Sequence, residues 1–595
     1  MTDDLHRRLG GMSRRQLLAA ISAAGAAAAL GIPERASADT ARSAAGDGVS
    51  ATAARAAARR AAKTAPHGSD LGAVEHVIFL MMENRSYDHY FGAYPKGRGF
   101  DDHPKHSLGV FAQDYPGGTG LSPRKKLLPF HLDAAAGQDC TSDLTHNWGP
   151  MHQCWNHGEM DSWARTHSSK ANEGVPDGAL TMGYYTRRDI PLYWALADEF
   201  TLCDAYHASI LGPTHPNRLM ANSGTIDPAG THGGPVTDTN PDPTVRWSCT
   251  WPTVQEVLED AGISWKVYHP SFLGTSAKYA NLLEFPIWDP ILSDPTLNPV
   301  VMLATDTVLP YFKAFENPSS ALHKKAFGPT FPADFMADVE KDQLPKVSWM
   351  IPPLGFDDHP AATPERGQWF VKQLVDILAS NPKVWSKTVL FLMYDENDGW
   401  FDHVPPTVAP KGTPGEWLTA KSISSDTLGI RGPLGLGVRL PCLVISPFSR
   451  GGHVASEVFD HTSQLQFLHE RFGIEVPNVS KWRRETVGDL TSTLFRSPHD
   501  AKMPKLPDIA LNGLILTGSC ADPIEETELG GVGPTLPTKQ RMPTQRGTTV
   551  PAGRFLKESP TKTARIPLRS GRNTATTKSA YNHLAHGGKP ASPSR

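Results

Sequence analysis

Two stretches of this 595-residue chain end in residue types that hold a hard cation. Val77–Met82 runs into Glu83-Asn84, and Thr388–Tyr394 runs into Asp395-Glu396-Asn397-Asp398. Carboxylates supply charged oxygens and an asparagine a neutral one, a donor set suited to a divalent ion. Carboxylates crowded at one rim are costly unless a cation neutralises them, so the two acidic ends together predict a metal. Taken singly, each is also an ordinary polar turn, with Ser86, Asn84 or Asp395 as a cap. A third stretch, Gly212-Pro213-Thr214-His215-Pro216-Asn217-Arg218, turns at Gly-Pro and starts a helix beside Thr214. Backbone N–H groups at a helix start attract anions. Arg218, one turn on, offers phosphate a planar fork. Without that arginine Thr214 reads as a plain N-cap.

These residues need a frame. Val77–Met82 and Thr388–Tyr394 are apolar on both faces, which places them centrally in a sheet covered on both sides. Further strands are predicted at Ser264–Tyr268, Val347–Ile351 and Leu440–Ser446, and helices at Ile190–Phe200, Gly367–Leu378 and Thr462–Phe472. Their alternation predicts an α/β, doubly wound architecture. In such a sheet ligands sit beyond the carboxyl ends of the strands, where Glu83, Asp395 and the loop Gly355–Pro360 (GFDDHP) fall. Residues 108–180 lack periodicity but gather His131, Asp143, His146, Trp148, His152, Trp155 and Asp161. A long irregular segment in a compact domain is functional or disordered. Asp460, His461 and Thr462 open the last helix; capping accounts fully for Asp460 or Thr462, which leaves a catalytic role as the lesser reading.

The formal charge of −3 gives no preference for nucleic acid. Ser13-Arg14-Arg15-Gln16-Leu17-Leu18, the apolar run to Leu30 and Ala36-Ser37-Ala38 predict a Tat export signal over 1–38. Its apolar part is too short and alanine-rich to span a membrane well. An Ala-rich linker over 39–72, one catalytic domain over 73–520 and a basic, disordered tail over 521–595 follow from composition. Six cysteines without a CxxC pair exclude a structural zinc motif, and Cys140 with Cys154 is the disulfide expected.

The motifs ENRSYDHYFG (Glu83–Gly92), GPTHPNR (Gly212–Arg218), YDENDGWFDHV (Tyr394–Val404) and FDHTSQL (Phe459–Leu465) resemble the bacterial phosphoesterase family. That family holds non-zinc phospholipases C and a class of acid phosphatases. TMGYYTRRDIP, RGPLGLG and ISPFSRGG resemble the actinobacterial phospholipases C in particular. The resemblance implies an alkaline-phosphatase-like three-layer sandwich with a mostly parallel central sheet. It also implies one divalent cation held by Glu83, Asn84, Thr214, Asp395 and Glu396, its identity open among calcium, magnesium, manganese and zinc. Thr214 would be nucleophile as well as ligand, and His131, His146 and His359 would bind phosphate oxygens or protonate the leaving group. The implied substrate is a phospholipid at a membrane surface, met by a secreted or envelope protein delivered by the Tat machinery. Acid phosphomonoester hydrolysis is the alternative. Asp398 stands where the family pattern calls for glycine. Trp148, Trp155, Tyr184, Tyr185 and Trp400 offer faces for a choline ammonium, or simply belong to the core.

Overall fold

The computed structural model of the protein describes residues 71–104, 107–115, 126–168, 178–239, 246–270, 307–353, 355–360, 362–494 and 501–509, with short pieces between 536 and 551. The signal, the linker up to residue 70, residues 271–306 and the chain after 551 lie outside these. Eight strands form one sheet: β1 (His76–Met82), β2 (Thr201–Cys203), β3 (Trp265–Pro270), β4 (Thr330–Phe331), β5 (Val347–Met350), β6 (Thr388–Tyr394), β7 (Cys442–Ile445) and β8 (Val454–Ala455). Their spatial order is β8-β2-β7-β6-β1-β5-β3-β4. The two strands with the long apolar runs, β1 and β6, are neighbours in the middle of that order. Burial on both faces is what their composition requires. β1 is parallel to both flanking strands, with Val77 opposite Val389 on one side and Val347 on the other. Only β7 runs against its neighbours β6 and β2 within this sheet. It begins at Cys442 rather than the expected Leu440, leaving Pro441, which has no N–H to give, outside the ladder.

Helices cover both faces. They include α1 (Tyr87–Phe91), α2 (Trp148–Trp155), α3 (Pro191–Glu199), α4 (Thr214–Ser223), α5 (Pro364–Ser380) and α6 (Thr462–Phe472). On one face Phe79 stacks on Phe391 with ring centroids 5.6 Å apart, and Phe391 meets Phe467 of α6 edge-on at 4.9 Å. On the other, Tyr394 meets Tyr90 of α1 at 5.6 Å, and Tyr193 of α3 and Tyr394 both donate to Asp358 Oδ2. Even spacing along each strand sends alternate side chains to opposite layers. The architecture is α/β, three-layered and mostly parallel.

Two expectations change. Cys154 is a free, buried thiol on the last turn of α2, with burial pushing it up to about 12, while Cys140 is disulfide-bonded elsewhere. Helix α2 buries the side of the chain that carries Cys154, so closeness in sequence does not become a bridge. Within the stretch expected to be disordered, Arg541–Pro543 pairs antiparallel with Thr549–Pro551, and Met542 is fully buried. Gln545 Nε2 donates to the carbonyls of Tyr94 (2.7 Å) and Gly97 (3.1 Å). Average composition is blind to single residues of this kind that find a site on the folded body.

Candidate metal and phosphate site

The register of β1 on β6 builds the site. Met82 lies opposite Tyr394, so the residues after them, Glu83-Asn84 and Asp395-Glu396, leave the sheet side by side. The Asp395 N–H still donates to the Met82 carbonyl (3.1 Å), and the Arg85 N–H to the Glu396 carbonyl (3.1 Å). Asn84 turns through the left-handed region (φ 62°), and its N–H donates to Asp395 Oδ1 at 3.2 Å. The Glu396 N–H donates to the same oxygen at 2.7 Å. Helix α4 arrives from across the sheet. Arg218 donates from Nε to Asp395 Oδ2 (3.0 Å) and lies with Nη2 3.2 Å from Glu83 Oε1. Thr214 opens the same helix one turn earlier and is buried.

Asp398 and His146 close the other side. His146 lies 3.2 Å from Asp398 Oδ1, 3.5 Å from Asp143 Oδ1 and, through Nε2, 3.6 Å from Glu396 Oε1. Its Nδ1 donates to the Leu144 carbonyl at 2.7 Å. Gly399 follows at φ 75°, where a Cβ would run into His167 and the Thr145 carbonyl, so the turn admits no side chain. Five carboxylates thus crowd together: Arg218 contacts Glu83 and Asp395, while His146 contacts Asp143, Glu396 and Asp398. Burial raises Asp395 above the usual carboxylate range despite Arg218, and raises Glu396 and Asp398 well above it despite His146. Burial lowers His146, but Glu396, Asp398 and Asp143 outweigh it and raise it well above an ordinary histidine.

The donors fit a divalent cation. Asn84 Oδ1, Thr214 Oγ1 and Glu396 Oε1 are buried oxygens with no hydrogen-bond partner. An orphaned buried acceptor costs about 1–3 kcal/mol, and a cation shared by the three would satisfy them. With Glu83 and Asp395 the set is all oxygen, as hard divalent ions require.

Other expected residues are placed differently. His131 lies at the edge of a small separate sheet, 2.8 Å from Asp189, and its contacts belong to that neighbourhood. His359 sits on the loop after β5, where its ring donates to the Pro360 carbonyl. Its N–H is held by Asp357, whose own carbonyl accepts from the Glu83 N–H. Trp148, Trp155, Tyr184, Tyr185 and Trp400 are all buried, and Trp400 stacks on His89 at 3.7 Å. Those faces are used in packing. His461, at the start of α6, donates from Nε2 to the Asp395 carbonyl (2.7 Å). Its Nδ1, 3.1 Å from the Tyr206 hydroxyl, then accepts, and burial holds the ring near 4 and neutral. No cap rule identifies such a residue; its signal was only its place in the FDHTSQL motif.

A second acidic group, Asp88, Asp402 and His403, has the spacing of metal ligands. It already has its cation: Arg439 donates to Asp402 Oδ1 and Oδ2 and to Asp88 Oδ1, each at 3.0 Å. His403 adds contacts to Asp88 (2.6 Å) and Asp102 (3.3 Å). Burial pushes Asp102 up, but His403 and Arg98 outweigh it and hold it at about 2. A depressed carboxyl contributes stability above its ordinary pKa and loses it as pH falls through the folded value. Asp102→Asn is therefore expected to cost about 2 kcal/mol near pH 6, a difference that shrinks between pH 4 and 2 in urea titrations. A difference that stays constant down to pH 2 contradicts this.

Residues 74–475 match the model of the Phosphoesterase family. The chain is 43% identical to phospholipase C B of Mycobacterium tuberculosis over 489 residues, covering 79% of this chain and 88% of that one. It is 40% identical to phospholipase C A of the same organism over 555 residues, 91% and 97% of the two chains. The non-hemolytic phospholipase C of Pseudomonas aeruginosa is 38% identical over 504 residues, 82% of this chain and 65% of that one. Among solved structures, a protein of the alkaline phosphatase superfamily from Vibrio parahaemolyticus aligns with a TM-score of 0.28 and 8% identity, over 73% and 77% of the chains. That overlap is too slight to add to what the sheet itself shows.

Proposed function

The chain belongs to the phosphoesterase family, and within it we propose a phospholipase C that hydrolyses the glycerol–phosphate ester of phosphatidylcholine and related lipids. The supporting observation is the trio of buried oxygens without a hydrogen bond on Asn84, Thr214 and Glu396, set among crowded carboxylates. Similarity to phospholipases C over most of their length supports the diester substrate.

Glu83, Asn84, Thr214, Asp395 and Glu396 would hold the ion. When bound, a divalent cation there lowers the pKa of a hydroxyl and takes up charge on phosphoryl oxygens. Thr214 Oγ1, buried at the first turn of α4, would attack phosphorus, and the N–H groups of that turn would serve the developing charge. The P–O bond to glycerol breaks as the Oγ1–P bond forms, and water later releases the phosphorylated head group. Arg218 holds Glu83 and Asp395 in place. Of the three histidines suggested by the family, His146 stands among the carboxylates and is the one we assign to the leaving alkoxide's proton. Nothing in the described residues is a helix long and apolar enough to cross a membrane. We propose that the protein is exported through its Tat-like N-terminus, Ser13–Leu18 and the apolar run after it, and meets lipid outside the cytoplasm.

The test is hydrolysis of phosphatidylcholine vesicles beside p-nitrophenyl phosphate, using protein lacking residues 1–38. Diacylglycerol and phosphocholine as main products support the phospholipase C reading. Rapid monoester cleavage with intact lipid would instead place the chain among the acid phosphatases.

A further inference from the structure

Asp398 occupies a backbone position that favours glycine. Its φ of 52° lies in the left-handed region, next to Gly399 at 75°. Left-handed backbone disfavours a side chain relative to glycine, and the buried aspartate at that position is held there by its contacts. Asp398 is fully buried, and it touches two of the cage oxygens' owners. Its Oδ1 accepts from Asn84 Nδ2 at 3.0 Å. Its backbone N–H donates to Glu396 Oε2. The atoms left over by these two bonds, Asn84 Oδ1 and Glu396 Oε1, are the ones with no hydrogen-bond partner. An amide is two-faced: with its nitrogen tied to a carboxylate, its oxygen must point the other way. Oδ2 of Asp398 accepts from the Leu144 N–H at 3.2 Å, which pins the carboxylate itself. Oδ1 also lies 3.2 Å from His146 Nδ1.

We propose that Asp398 is a positioning residue of the cation site. Its carboxylate fixes the Asn84 amide so that oxygen faces the ion, and its backbone frees one oxygen of Glu396 for the same purpose. This rests on the cation site of the preceding section and extends it to a residue that does not itself ligate. Partners that orient metal ligands change affinity by roughly 10–100-fold when removed.

Two variants separate the side chain from the backbone. Asp398→Gly keeps the N–H to Glu396 and suits the left-handed φ, but it releases the Asn84 amide. Asp398→Asn keeps an oxygen that can accept from Asn84 Nδ2. The readout is Mn²⁺ titration of metal-stripped protein by calorimetry, with Ca²⁺ as a second probe and the apo-protein melting temperature as control. Mn²⁺ affinity is expected to fall at least 10-fold in the glycine variant, whose apo melting temperature also drops, and less in the asparagine variant, which melts close to wild type. Phospholipase C activity of the glycine variant should then recover as Mn²⁺ is raised, through a higher half-saturating metal concentration at a similar maximal rate. Equal Mn²⁺ affinity in wild type and Asp398→Gly overturns the proposal. So does a loss that is the same in both variants. A wild-type protein that binds neither ion sinks the cation site itself, a result distinct from the other two.

Discussion

Thr214→Ala is expected to abolish turnover, lowering kcat by about 10⁴-fold or more while the protein stays folded. Losing a nucleophile removes the covalent route altogether, and losses of that order are typical when a member of a catalytic unit is deleted. The substitution should be mild for the fold. Thr214 Oγ1 makes no hydrogen bond, so its removal orphans nothing, and alanine is a better helix former than threonine. Thr214 also lies at the first helical position after Pro213, whose extended backbone rather than a side-chain cap begins α4. Serine at 214 keeps the hydroxyl and is expected to retain much of the activity. Acid-quenched wild type incubated with a slowly turned-over diester should carry the phosphorylated head group on the peptide containing Thr214, and the alanine variant should not. A folded Thr214→Ala protein that still cleaves lipid at the wild-type rate would remove Thr214 from the mechanism.

How much of this could be read from the chain depends on what each residue answers to. Val77–Met82 and Thr388–Tyr394 announced central strands because burial on both faces leaves no polar position in the pattern. Their equal register then placed Glu83-Asn84 beside Asp395-Glu396, which no one-dimensional pattern specifies. From pattern alone His146 and Asp143 were just polar residues in an aperiodic stretch, because the loop that brings them to Asp398 has no period to follow; only the family resemblance singled out His146. His131 and Trp400 carried the same kind of signal and went elsewhere, one to Asp189 and the other beneath His89. Residue type alone does not separate a ligand from a packed aromatic or a histidine hydrogen-bonded to a carboxylate elsewhere. Arg218 was legible as an anion-binding residue, yet in the structure it reaches carboxylates. A guanidinium fork fits either acid, and only the fold decides which lies in front of it.

The largest stability loss is expected from Arg439→Met. Arg439 is fully buried and donates to Asp88, to both oxygens of Asp402 and to the carbonyls of Arg98 (2.8 Å) and Asp204 (2.9 Å). Its guanidinium also lies 4.3 Å from the Tyr87 ring centroid. Methionine keeps the volume and removes the charge, leaving two buried carboxylates with only His403 as a cation. Breaking one side of a buried ion pair costs about 3–5 kcal/mol, chiefly as the desolvation of what remains. Arg439→Lys restores a charge without the fork and should recover part of the loss. Adding Asp402→Asn to the methionine variant removes one stranded charge and should recover part as well, a coupling that a double-mutant cycle measures. The damage should also reach the site. Asp88 sits on α1, four residues after Asn84, and Asp402 lies four residues after Asp398, so Arg439 ties together the two segments that leave the cage. Weaker Mn²⁺ binding should therefore accompany the lost stability in Arg439→Met, and Asp402→Asn should improve both together. A fully stable Arg439→Met protein would mean that Asp88 and Asp402 are not held as buried anions, and the clamp between α1 and the 402–403 turn would have to be abandoned.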